Sequence, residues 1–192
     1  MARAAVSGFE NVPSRPLAWP AQLGIVIGAS LFVALCARVT VPLPFTPVPL
    51  TLQNLGVLLV GMMLGSRRGA AALALYLAEG AIGLPVFNPA GPGGIAQILG
   101  PTGGYLIAYP LVAFVAGWIT ERGTRTFLRA VLAGITSEAV LFAGGLSSLA
   151  ILTHSISTAV RFGLYWFIFA EVIKVLLAAG ISTQLRRGVR VV

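Results

Sequence analysis

The chain has 192 residues, 57% hydrophobic and 9% charged, with a net charge of +8 and a mean hydropathy of +0.94. This composition excludes an ordinary soluble domain and points to a membrane protein with room for about six spans of roughly 20 residues. One cysteine, one histidine and no aspartate exclude an internal disulfide and most metal chemistry, so no cofactor or metal is expected.

Apolar runs fall at 19–37, 50–65, 69–86, 103–120, 130–153 and 162–182. With the N-terminus placed in the cytoplasm, the inside receives Arg3, Arg15, Arg67, Arg68, Arg122, Arg125, Arg129, Arg186, Arg187 and Arg190. The outside receives only Arg38 and Arg161. The positive-inside rule therefore predicts an all-α integral membrane protein of six transmembrane helices, N-in and C-in, with no nucleic-acid partner. The expected organisation is a cytoplasmic lead over 1–16, a six-helix domain over 17–185 and a basic tail over 186–192. The polar lead ahead of the first apolar run lacks a small-residue cleavage site, so no cleavable signal peptide is expected.

In chain order, helix 1 carries small residues at Gly24, Gly28, Ser30 and Ala34. Such spacing lets another helix approach closely, either within the molecule or from a partner. Next comes Pro42-Leu-Pro-Phe-Thr-Pro-Val-Pro-Leu, where each proline forces the preceding residue out of the α region. The run predicts a stiff, irregular hairpin without a strand ladder. Beside a membrane helix such backbone is tolerated only against protein or a water-filled cavity, so it marks the wall or mouth of a small-molecule site. Helix 2 is expected from about residue 50, with Gln53 and Asn54 at its start needing polar partners. The turn Gly65-Ser-Arg-Arg-Gly69 leads into helix 3, which ends at Gly83-Leu-Pro-Val-Phe87.

The longest outside segment, 88–105, is rich in glycine and proline and closes on Gly100-Pro-Thr-Gly-Gly-Tyr105. Thr102 is the expected N-cap of helix 4, whose free N–H groups suit an anionic group. Asn88 and Gln97 either contact a ligand or bond the backbone, and Gly103 allows close approach of the chain. The segment lacks the lysine and Ser/Thr of a phosphate-binding loop, so the chain does not hydrolyse ATP by itself. Phe45 and Tyr105 are the aromatic residues expected at the outer mouth.

Glu79, Glu138, Glu171 and Lys174 fall inside predicted spans, where each charge costs at least ~2.5–3.5 kcal/mol and needs a partner or a wet cavity. Glu171 and Lys174 lie three residues apart on one helical face. They form either a packing ion pair or a paired acceptor and donor for a ligand. Glu79 and Glu138 are either structural or part of the site.

The proline run with Thr51-Leu-Gln53, Gly65-Ser-Arg-Arg-Gly69, Gly83-Leu-Pro-Val-Phe87 and Gly100-Pro-Thr-Gly-Gly-Tyr105 occur in an order that resembles the BioY family. This family comprises the biotin-capturing membrane (S) components of energy-coupling-factor (ECF) transporters. The resemblance implies biotin uptake at a bacterial cytoplasmic (inner) membrane rather than an enzymatic activity. It also implies a transmembrane coupling protein and ATPase subunits as partners, with helix 1 as a docking face. Glu171 and Lys174 would then recognise the cyclic urea of biotin, with Gln53, Tyr105, Phe45, Asn88, Gln97, Thr102 and Gly103 around it. The alternative classes are a membrane enzyme or a channel-like bundle without vitamin specificity.

Overall fold

The structure, a computed structural model, describes residues 18–124 and 126–188. The expected lead over 1–16 lies outside the described residues, as do Arg3, Arg15, Arg125 and Arg190 from the charge argument. The elements are α1 (Trp19–Arg38), β1 (Thr40–Val41), β2 (Leu50–Thr51), α2 (Gln53–Leu64), α3 (Ser66–Ala81) and α4 (Gly94–Ile98). They continue with α5 (Gly103–Glu121), α6 (Phe127–Thr153), α7 (Ile156–Val160), a π-helical turn at Arg161–Tyr165, and α8 (Ile168–Gly188). The last helix thus runs into the segment expected to be a tail.

Among the described residues, α1, α5, α6 and α8 are long and apolar enough to cross a bilayer. The 12 residues of α2 cover roughly 18 Å at 1.5 Å per residue, short of the ~30 Å hydrocarbon core. It starts at Gln53, later than expected, because Leu50 and Thr51 pair antiparallel with Val41 and Thr40. The proline run 42–49 is therefore irregular as expected, but a short ladder closes its base.

The core sits between α5 and its neighbours α2, α3 and α6, with α8 packed on α2 and α6, and α1 on α2 and α3. Small residues set the closest crossings. A Cβ at Gly104 of α5 would lie 2.3 Å from the carbonyl oxygen of Gly144 on α6, so glycine is required there. The α2–α3 hairpin turns at Gly65, whose φ of 88° lies in the region that favours glycine. Glu121, the last residue of α5, ties this turn down. Its carboxylate accepts from the Ser66 backbone N–H at 2.9 Å and from the Ser66 hydroxyl at 2.7 Å. An acceptor at the first turn of a helix stabilises it as a cap does.

Helix 1 corrects part of the small-residue expectation. Ser30 and Ala34 are buried on the face turned towards α2 and α3, and Ser30 donates a hydrogen bond to Glu79 of α3. Close packing within the molecule accounts for both, and Glu79 is thereby a helix–helix tie. Gly24 and Gly28 lie on the opposite, exposed face, with open space where a side chain would stand. Removing the Glu121 acceptor should cost about 0.5–2 kcal/mol. Glu121→Ala is therefore expected to lower the melting temperature in detergent, and Glu121→Gln to lower it less.

Candidate ligand-binding site

At one end of the bundle, three irregular segments meet: the proline loop 42–49, the stretch 82–102, and the π-helical turn before α8. Below them lies a small cavity of about 50 Å³ that opens at its mouth. Its wall includes Val48 and Pro49 of the loop, Gln53 and Asn54 of α2, Asn88, and Tyr105 and Tyr109 of α5. Leu141 and Phe142 of α6, Phe167 just before α8, and Glu171 and Lys174 of α8 also line it.

The floor is charged. Lys174 Nζ lies 2.6 Å from Glu171 Oε1, and both residues are buried. One turn of helix brings the two heads together, as the spacing of three predicts. Glu171 Oε2 accepts from the Asn54 amide at 2.7 Å, and the same amide nitrogen donates to Glu138 Oε1 of α6 at 2.6 Å. Three helices therefore meet through one asparagine. Among the described residues, the buried acceptors Asn54 Oδ1, Asn88 Oδ1 and Glu138 Oε2 have no hydrogen-bond partner. Two of these belong to cavity-wall residues, so the wall is suited to a ligand rich in N–H donors.

The roof is held by side chains that satisfy irregular backbone. Thr46 Oγ1 donates to the Phe162 carbonyl at 2.7 Å, and the Tyr105 hydroxyl to the Gly163 carbonyl at 2.9 Å. Both carbonyls belong to the π-helical turn, a form often found at functional sites. Gln53 donates to the Tyr76 hydroxyl at 2.8 Å, which in turn donates to the Val86 carbonyl at 2.9 Å. Gln97 is buried and braces the 88–93 loop, accepting from the Gly93 N–H at 3.1 Å.

Of the expected site residues, Glu171, Lys174, Gln53, Tyr105, Asn88 and Thr102 all line the cavity. Thr102 stands at the N-cap position of α5 but makes no capping bond, which corrects its expected role. Phe45, Gln97 and Gly103 are not brought to the wall. Phe45 is half exposed and packs on Trp166 with ring centroids 4.5 Å apart. Gly103 sits where a Cβ would collide with the Ile98 carbonyl, so its role is a tight chain crossing. Tyr109, Leu141 and Phe142 are cavity-wall residues that the sequence reading does not anticipate. Tyr109 follows Tyr105 by one helical turn, and Leu141 and Phe142 follow Glu138 at three and four residues, so helical periodicity places each on a face already suspected.

This combination defines a helical membrane protein with a polar cavity open at one end of the bundle. The BioY family model matches residues 12–191. A biotin transporter from Thermotoga maritima is 36% identical over 163 residues, covering 84% of this chain and 95% of its own. Another, from Rhizobium etli, is 39% identical and covers 79% of this chain and 84% of its own. The crystal structure of an S-component for biotin from an ECF-type ABC transporter superposes with a TM-score of 0.78 at 27% identity. That match covers 88% of this chain and 92% of the other. The chain belongs to the BioY family.

The Gln53–Tyr76–Val86 relay holds the start of α2 to the stretch after α3. Tyr76→Phe leaves a buried amide and a buried carbonyl unpaired, at about 1–3 kcal/mol per group. It is expected to lower the unfolding temperature in detergent measurably, whereas Phe45→Leu, at a half-exposed position, should leave it nearly unchanged.

Proposed function

We propose that this chain is a biotin-binding S component, which captures the vitamin for uptake by an ECF module. The observation that carries the proposal is the buried Asn54–Glu171–Lys174 cluster lining a cavity open at one end. Biotin's cyclic urea offers two N–H donors and a strongly accepting carbonyl. Glu171 and Asn54 Oδ1 supply acceptors, and Lys174 supplies donors. The thioether ring matches the apolar wall of Leu141, Phe142 and Phe167. The uncapped Thr102 hydroxyl, at the start of α5, suits the valerate carboxylate. Membership of a family whose relatives carry the name of biotin transporters supports the same reading, and favours a transport component over an enzyme.

In this reading the shorter α2 and α3 join the four long helices as six membrane-embedded helices in the cytoplasmic membrane of a bacterium, with α2 reaching only part of the way across. The excess of arginine at one set of loops supports an N-in, C-in topology, with the cavity facing outwards. The exposed Gly24–Gly28 face of α1 is the proposed contact with a transmembrane coupling protein, which would bring the ATPase subunits.

Calorimetric titration of the purified protein should give tight binding of biotin and none of thiamine or riboflavin. A preference for either other vitamin would overturn the assignment. Lys174→Ala should weaken biotin binding by about 2–5 kcal/mol, because it removes a donor and strands Glu171. Gly28→Leu should leave biotin affinity in detergent nearly intact while abolishing co-purification with the coupling protein. Normal co-purification would remove this face from docking.

A further inference from the structure

Glu138 is a buried carboxylate on α6 that is absent from the cavity wall, yet it touches a residue that is part of it. Its described hydrogen bond comes from the Asn54 amide nitrogen, to Oε1, at 2.6 Å. That nitrogen has two N–H groups, and the second goes to Glu171 Oε2 at 2.7 Å. Both Asn54 donors are therefore committed, to oxygens from two different helices. The amide cannot rotate to exchange its nitrogen and oxygen without losing both bonds and turning its carbonyl towards two carboxyl groups. Asn54 Oδ1, buried and without a partner among the described residues, is left as the free atom of that side chain.

We propose that Glu138 is a positioning residue for ligand recognition. It locks the Asn54 amide so that Oδ1 stands as a fixed acceptor for one N–H of the ligand's cyclic urea. Glu171, held by Lys174, remains on the same floor for the other N–H. This inference rests on the biotin reading of the cavity and adds to it a residue that acts without touching the ligand. With Glu171 alone, one N–H of Asn54 would be anchored and the other would lack an acceptor. The carbonyl would then be held in direction by one bond instead of two, and a pre-organised acceptor would become a looser one that must be ordered further on binding.

A double-mutant cycle on the full chain in detergent tests this, with biotin affinity as the readout and thermal unfolding as the check on folding. Glu138→Met should weaken biotin binding about 10-fold or more, in the range for an unmade buried hydrogen bond. Asn54→Ala should weaken it at least as much. In the Asn54→Ala background, Glu138→Met should cost no more than about 2-fold further, because its effect passes through Asn54. Glu138→Gln keeps an oxygen acceptor for the Asn54 amide and should recover most of the loss. If the methionine variant does not unfold cooperatively, Glu138→Ala takes its place in the cycle. Additive losses, or wild-type affinity in the folded Glu138→Met protein, would overturn the positioning role while leaving biotin binding by the wild type in place. A wild-type protein that does not bind biotin would overturn the vitamin reading itself, and the role of Glu138 with it.

Discussion

A lysine and a glutamate buried three residues apart on an apolar helix set the terms for the rest of this molecule. Within a membrane helix, each charge needs a partner or a wet cavity. Their 2.6 Å contact neutralises much of the cost, but each head keeps further hydrogen-bonding capacity. Helix α2 supplies Asn54 to meet that demand, and α6 supplies Glu138 behind it. Breaking a buried pair by removing one partner costs more than its formation gains, since a stranded charge remains. The polar floor therefore dictates how α2, α6 and α8 close on one another, and the cavity lies where they do.

The roof follows from a related constraint. Backbone that leaves regular helix near a membrane must have its carbonyls and N–H groups satisfied by protein. Prolines in the 42–49 loop remove donors and leave less backbone to satisfy. Thr46, Tyr76 and Tyr105 then donate hydroxyls to the carbonyls of Phe162, Val86 and Gly163. The segments over the cavity are thus tied to one another and to α3 and α5, far from one another in sequence. A ligand entering from this end meets a braced frame rather than loose loops.

Much of this was legible in the chain. The Glu171–Lys174 pair could be read from its spacing, and the proline run announced irregular backbone at a site. Asn54 and Glu138 were visible as polar groups in need of partners. Their pairing was not, because 84 residues separate them and no periodicity links α2 to α6. The late start of α2 depended on strand pairing across the proline loop, which local pattern cannot reveal. Small residues on α1 permitted close packing but did not say on which side. Ser30 and Ala34 turned inward, while Gly24 and Gly28 stayed open. Gln97 and Phe45 show the same limit: a polar or aromatic side chain near a cavity can support its loops without reaching its wall.

The central claim is that the charged floor between α2 and α8 recognises the polar end of the ligand. The most direct test is an experimental structure of this protein with biotin bound. The account predicts the cyclic urea against Asn54, Glu171 and Lys174, with the valerate chain pointing towards Thr102 and the start of α5. A urea ring bound elsewhere, with the Asn54–Glu171–Lys174 cluster out of hydrogen-bonding reach of the ligand, would contradict it.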